Sequence, residues 1–97
     1  MYARVAKWEG GEAAALRQSV AQINAEAASG PPEGVPAKGF LMLIDPDSGR
    51  SMAIALFETE EDMRKGDATL NTMSPGSTGV GTRTSVELYE VGAELRV

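Results

Sequence analysis

The sequence contains no cysteine and no histidine among its 97 residues. The lack of cysteine excludes disulfide bonds and thiol nucleophiles, and it fits a cytoplasmic protein. The lack of histidine removes the commonest general base and the commonest ligand of transition metals, so we expect no metal site. The Walker phosphate-binding pattern and the dinucleotide-binding fingerprint are missing too, and we expect no bound cofactor.

Clusters of lysine and arginine are also missing. The chain has 9 basic and 14 acidic residues, a net charge of −5. An acidic chain repels phosphate backbones, so we expect no nucleic-acid partner. No apolar run approaches the roughly 18 residues of a membrane span, and Lys7 and Glu9 follow Met1 too closely for a signal peptide. We therefore expect no membrane association.

The length and composition predict one small folded domain over residues 1–97. Hydrophobic residues make up 42% and charged residues 24% of the chain, which is typical of a globular protein rather than a disordered one. A domain of this size buries only roughly 60–65% of its unfolded surface, so its core is marginal. A second copy of the chain would relieve that shortage, and we expect a homodimer.

The first half of the chain alternates between strand and helix patterns. Residues 2–8 alternate with a period of two and end at Gly10-Gly11, which predicts a strand followed by a turn. From Glu12 onward apolar residues recur at helical spacing, and a Pro- and Gly-rich segment at 29–36 ends that helix. The helical stripe consists of Ala13, Leu16, Val20, Ile23 and Ala27.

The second half repeats the order with a hairpin in front. The continuous apolar run at 39–44, "GFLMLI", is typical of a strand covered on both faces, and a turn at 45–49 joins it to an alternating strand at 50–59. Thr59 is a good helix N-cap, with Asp62 as its partner in a weak capping box. Gly66 lowers helix stability, so we expect this helix to be bent or interrupted. A last strand follows at 84–91.

The predicted order is strand, helix, strand, strand, helix, strand. This is the split βαβ pattern of ferredoxin-like α+β folds. Right-handed crossovers place both helices on one face of a four-stranded antiparallel sheet, for which we expect the order 4-1-3-2. The other sheet face is left bare although it carries apolar residues. We expect it to be covered by the sheet of a second copy.

Three stretches resemble a known family. The opening "MYARVAKWEG", the strand-to-helix junction "ALFETEEDM" at 55–63 and the closing "RTSVELYEV" at 83–91 are similar to antibiotic-biosynthesis-monooxygenase-like domains. These belong to the dimeric α+β barrel superfamily. The resemblance covers nearly the whole chain and implies the same ferredoxin-like fold and a homodimer.

What the resemblance implies for function is less uniform. Some family members are cofactor-free oxygenases that act on polycyclic aromatic substrates, with a pocket between sheet and helices. Others degrade heme through a histidine ligand, which this sequence lacks. Many have no known activity. The resemblance therefore implies a small aromatic ligand and no cofactor.

Several residues are candidates for the lining of such a pocket. Trp8 ends the first predicted strand, and Phe57 and Tyr89 have similar standing; for all three the alternative is a core or interface role, which large aromatics often have. Asn24 lies beside the apolar stripe of the first helix and can orient a substrate oxygen, or it is simply solvated. Asn71 is likewise interpreted as a solvated helix residue.

The glycine-rich run "PGSTGVGTR" at 75–83 is not a phosphate-binding loop, because a helix precedes it and a strand follows, the reverse of the required order. We expect a flexible connection, and residues 74–82 of it can act as a lid beside a pocket. Arg83 at its end can reach an anionic group or form a surface or cross-dimer ion pair. Arg4 and Glu87 lie mid-strand on neighbouring strands, and we expect them to form a cross-strand pair.

Three functions remain open. The first is a cofactor-independent monooxygenase acting on an aromatic compound, with substrate-binding residues Trp8, Asn24, Phe57, Tyr89 and Arg83. The second is a non-catalytic dimeric binding or interaction protein of the same fold, favoured by the absence of His, Cys and any acid–base pair. The third is a regulatory ligand sensor. No residue pattern identifies a catalytic group or a substrate.

Overall fold

The computed structural model describes residues 1–73 and 79–95. Its four strands form one antiparallel sheet in the order β2-β3-β1-β4, which is the predicted order 4-1-3-2 counted from the opposite edge. The ferredoxin-like α+β fold is thus confirmed. In chain order the elements are β1 (Tyr2–Glu9), α1 (Ala13–Glu26), β2 (Gly39–Asp45), β3 (Arg50–Phe57), α2 (Glu60–Asn71) and β4 (Thr82–Glu90), with one short 3-10 turn at Ala27–Ser29.

The two faces of the sheet follow from strand alternation. Arg4 and Ala6 of β1, with Ala55 and Phe57 of β3, are buried on the face that the helices cover. The residues between them, such as Val5, lie on the opposite face, which carries no helix. We call this second face the open face. Across its middle it consists of Gly39, Leu41 and Leu43, Met52, Ile54 and Leu56, Ala3, Val5 and Lys7, and Ser85, Glu87 and Tyr89.

Both helices bury apolar side chains against the sheet, Leu16 from α1 and a larger group around α2. Phe57, fully buried, packs with Ala55, Val35 and Met63, and Tyr2, Ala37, Leu70 and Leu88 surround them. We predicted a bent or interrupted helix at Gly66, and the interruption is wrong because α2 runs unbroken through that residue. Gly66 is buried, and a Cβ atom there would lie 2.5 Å from Cε1 of Phe57. The glycine therefore allows helix and sheet to approach closely.

The start of α2 agrees with the sequence, whereas the surroundings of β2 do not. The backbone N–H of Asp62 donates to Oγ1 of Thr59 at 3.1 Å, so Thr59 is the N-cap. The expectation that β2 is covered on both faces is wrong for the single chain. As an edge strand β2 leaves Phe40, Leu41 and Leu43 about half exposed. A hydrophobic run indicates burial but not which molecule supplies the cover.

Glycines hold three connections together at one end of the sheet. The N–H of Gly11 donates to the carbonyl of Gly49 at 2.9 Å, and the N–H of Glu12 donates to the carbonyl of Gly79 at 2.8 Å. Gly81 has φ +94, and a Cβ there would lie 2.1 Å from the carbonyl oxygen of Glu9. The connection before β4 is therefore fixed to the turn after β1 from residue 79 onward. The lid predicted for residues 74–82 falls mostly on 74–78, outside the described residues.

Candidate functional site

An open cleft lies between α2 and β4 on the helix-covered side of the sheet. Its volume is about 440 Å³. The last two turns of α2 form one wall, and the beginning of β4 forms the other. The lining residues are Asp67 and Asn71 from the helix and Arg83, Thr84, Ser85, Val86 and Leu88 from the strand.

Two arginines meet at Asn71 in the helix wall of this cleft, Arg83 from the lining and Arg4 from behind it. Arg4 of β1 donates from Nε to Oδ1 of Asp67 at 2.8 Å and from Nη2 to Oδ1 of Asn71 at 3.1 Å. Arg83 donates from Nη1 to the same Asn71 oxygen at 3.0 Å. One amide oxygen thus accepts hydrogen bonds from two guanidinium groups. Asp67 and Asn71 can serve together because residues four apart lie on one helix face.

The position of Arg4 corrects a prediction. Its expected cross-strand pair with Glu87 is wrong, because the register places Val5, not Arg4, opposite Glu87. Arg4 therefore lies on the helix-covered face and Glu87 on the open face. The side chain of Arg4 is only 5% exposed, and a cation buried to that degree needs charged or polar partners. Asp67 and Asn71 supply them.

The charges of the cleft are unbalanced. Arg83 and Asp67 are the charged residues of the lining, and Arg4, which lies behind the lining and bonds to Asp67, adds a second positive charge to the cluster. Arg83 is exposed, so its guanidinium group still faces solvent. Apolar surface from Val86 and Leu88 lies beside this polar cluster. A cleft with a local excess of positive charge in a chain of net charge −5 attracts an anionic or strongly hydrogen-bond-accepting group.

The lining residues do not fit heme. The usual axial ligands are histidine, cysteine, methionine and tyrosine, and the lining has none of them. Within residues 1–73 and 79–95, no group of three or more Asp, Glu, His or Cys side chains lies close enough together to hold a metal ion. The functional groups that remain are guanidinium, amide, hydroxyl and one carboxylate. They can bind and orient a polar ligand.

A second concavity lies at the end of the sheet where Trp8 is found. Its volume is about 430 Å³, and Leu43 and Met52 of the open face are part of its lining. Arg50 and Asp45, which also line it, form an ion pair at 2.8 Å. The hydrogen bond from Arg50 is the main reason that the pKa of Asp45 lies below its ordinary value. This ion pair is exposed, whereas the pair between Arg4 and Asp67 beside the α2–β4 cleft includes an almost fully buried cation.

The residues predicted from the sequence do not share one pocket. Arg83 lies in the α2–β4 cleft, whereas Trp8 lines the other concavity. Phe57 is fully buried in the core, and Asn24 is exposed on α1. Tyr89 lies on the open face, where its hydroxyl donates to Glu87.

Sequence reasoning did not bring Arg4, Asp67 and Asn71 together at one site, and signals for this existed. Arg4 and the apolar Ala6 are two residues apart in an alternating strand and therefore share a face. This indicates a buried cation that requires an anionic partner. Asp67 and Asn71 are four residues apart on a predicted helix and therefore share a face. Nothing in the sequence joins these two observations, since the partners of Arg4 lie 63 and 67 residues away along the chain.

Comparison with known proteins defines the class of the fold. No family model matches the sequence, and no curated protein is similar enough to be recognised as a relative. Solved structures do match the fold, and two of them are matched over nearly the whole chain. In the described part of the chain, no helix is long and apolar enough to cross a membrane.

The first structure is the heme degrader MhuD of Mycobacterium tuberculosis, solved with two hemes bound in its active site. It has a TM-score of 0.64 and 16% identity, and the match covers 99% of this chain and 100% of that one. The second is a Deinococcus radiodurans protein provisionally assigned as an antibiotic biosynthesis monooxygenase. It has a TM-score of 0.57 and 16% identity, with 100% and 98% coverage. The fold predicted from the sequence resemblance, that of antibiotic-biosynthesis-monooxygenase-like domains, is therefore confirmed.

Proposed function

We propose that this chain binds a small molecule in the α2–β4 cleft and oxidises it as a cofactor-independent monooxygenase. The proposed ligand is an aromatic compound that carries an acidic oxygen, such as a phenol. The observation that carries the proposal is the convergence of Arg4 and Arg83 on Oδ1 of Asn71, beside apolar surface from Val86 and Leu88. Both structural neighbours are described as heme-degrading or monooxygenase proteins, which supports this class of reaction.

The chemistry needs a stabilised substrate anion. In a cofactor-free oxygenation the ionised substrate itself supplies the electrons that reduce O2. One oxygen atom enters the product, for example as a quinone oxygen, and the other leaves as water. A guanidinium group beside the phenolic oxygen favours its ionised form. Arg83, exposed and within reach of a ligand in the cleft, has this role in the proposal.

The proposal includes a homodimer. The open face carries Leu41, Leu43, Ile54 and other apolar side chains, and in a single chain several of them are about half exposed. Contiguous apolar surface of this kind on a small protein marks an interaction site. We place a second copy of the chain there, sheet against sheet.

A second candidate function is a non-catalytic binding protein of the same fold. One observation favours it. The cleft lining holds a single carboxylate, Asp67, and its Oδ1 is engaged in an ion pair with the buried Arg4. Without another base, the protein would bind the anion of an already acidic compound and carry out no reaction.

The test combines binding and oxygen consumption. Hydroxylated polycyclic aromatics are screened by thermal shift against the wild type, Arg83→Gln and Arg64→Gln. Arg64 is the matched control, an exposed arginine of α2 whose ion pair with Glu60 lies outside the cleft lining. Loss of one charge-assisted hydrogen bond predicts about tenfold weaker binding or more for Arg83→Gln and no change for Arg64→Gln.

Oxygen-electrode assays on the bound compounds then separate the two functions. A monooxygenase should consume one O2 for each product molecule formed, and the rate of consumption should be lower in Arg83→Gln. Binding without oxygen consumption would leave the non-catalytic function. Equal affinity in both variants, or no binding, would refute the assignment of the cleft.

A further inference from the structure

The open face is not uniformly apolar. Its β2 and β3 side carries aliphatic residues, but its β1 and β4 side carries a polar triad of Lys7, Glu87 and Tyr89. Nζ of Lys7 lies 3.1 Å from Oε1 of Glu87, and the hydroxyl of Tyr89 donates to Oε2 of the same carboxylate. The triad therefore joins two neighbouring strands at the border of the apolar area.

Each carboxylate oxygen of Glu87 has its own donor. Such an arrangement satisfies the acid without help from water, which is the condition under which burial of a charge is tolerated. The side chains of Lys7 and Glu87 are still 43% and 37% exposed in the single chain. The hydrogen bond from Tyr89, followed by that from Lys7, keeps the pKa of Glu87 below its ordinary value, so the carboxylate is ionised at neutral pH.

The middle of the open face is electrically neutral. Lys7 and Glu87 are its only charged residues, and their charges cancel. The whole chain, in contrast, has a net charge of −5, so two copies repel each other in most orientations. Contact through the open face brings together two surfaces that each carry no net charge. This supports a second copy as the occupant of the face.

We propose that the Lys7–Glu87–Tyr89 triad is the self-recognition element of the open face, which directs a second copy of this chain onto it. This inference rests on the homodimer of the proposed function and specifies its interface. In a two-fold interface the same patch of both copies takes part. A patch with one cation, one anion and hydroxyl groups can therefore be complementary to its own copy. A wholly apolar partner would desolvate the triad and return no hydrogen bond to the ammonium group of Lys7.

The test measures the dimer dissociation constant by sedimentation at several protein concentrations. Glu87→Gln keeps the shape of the side chain but leaves the charge of Lys7 unpaired under the partner, so the dissociation constant should rise at least about tenfold. Glu58→Gln is the matched control. Glu58 forms an exposed ion pair with Lys38, with 4.0 Å between Oε2 and Nζ, and neither residue belongs to the triad. That variant should dimerise like the wild type.

A double variant, Lys7→Met with Glu87→Leu, separates loss of charge pairing from loss of folding. Replacing both members of the pair with apolar residues leaves no charge unpaired but removes the polar contacts that direct the partner, so this variant should form species larger than a dimer; an unchanged dimer would contradict a recognition role for the triad. Circular dichroism checks that each variant is folded.

Two further results would contradict the inference, and they are distinguishable. A wild-type dimer whose dissociation constant is the same as that of Glu87→Gln refutes the role of the triad and leaves the homodimer intact. A wild-type chain that stays monomeric at all concentrations refutes the homodimer and the triad together. The binding assay on the α2–β4 cleft, run on the same samples, tests the proposed ligand site independently of either result.

Discussion

Substitution of Gly66 by alanine should destabilise the protein, although alanine is the better helix former. A Cβ at this position would lie 2.5 Å from Cε1 and 2.7 Å from Cζ of Phe57, and 3.5 Å from Cγ1 of Val35. The ring of Phe57 is fully buried and packs against Met63, so it has little room to move. The new methyl group can be accommodated only if α2 moves away from the sheet.

The magnitude follows from two opposing effects. Alanine in place of glycine in a helix interior favours folding by about 1 kcal/mol. Overpacking a close-packed core typically costs about 1–3 kcal/mol, and this contact is at the severe end. We expect a net loss of about 1–2 kcal/mol, which lowers the melting temperature by about 4–8 °C for each kcal/mol in a protein of this size.

Thermal and urea unfolding followed by circular dichroism measure the effect. Lys65→Ala, an exposed neighbour on the same helix, is the control and should change stability by less than about 0.5 kcal/mol. Combining Gly66→Ala with Phe57→Leu should cost less than the sum of the two single changes, because the smaller side chain removes the clash. A melting temperature that rises in Gly66→Ala would refute the close approach of helix and sheet.

Three further predictions concern single side chains. Thr59→Ala removes the N-cap of α2 and should cost about 1 kcal/mol in thermal unfolding. Asn71→Leu leaves a donor of Arg4 without its acceptor, so we expect a loss of about 1–3 kcal/mol in urea unfolding together with weaker ligand binding; unchanged stability would contradict it. The depressed pKa of Asp45 stabilises the fold above the unfolded pKa of an aspartate, and this contribution disappears as pH falls through the folded value; NMR titration should show the pKa returning toward normal in Arg50→Met.

The sequence predicted the fold well because alternation and helical spacing are local signals. The alternation predicted for residues 50–59 places Ala55 and Phe57 on one face of β3 and Ile54 and Leu56 on the other, and the structure agrees. The N-cap at Thr59 was equally local. Such patterns depend on a few neighbouring residues, and no knowledge of distant contacts is required.

The cleft was only partly predictable, because it depends on register and on the approach of helix and sheet. Whether Arg4 or Val5 lies opposite Glu87 is decided by the register of β1 and β4, and that pairing contains an irregularity between Lys7 and Trp8. Gly66 was interpreted as a weak point of α2 because its helix propensity is local information. The contact with Phe57 that requires a glycine at this position depends on tertiary packing and cannot be read from neighbouring residues.

Arg4 joins the structural and the functional parts of the molecule. Its guanidinium group is almost fully buried and binds Asp67 and Asn71, so the same hydrogen bonds hold α2 against the sheet and orient two residues that line the cleft. A substitution of Arg4 would therefore alter stability and binding together, and activity measurements on it could not separate the two. Arg83 shares the Asn71 oxygen but is exposed. Because its removal leaves no buried group unpaired, Arg83 is the residue whose substitution reports on the ligand alone.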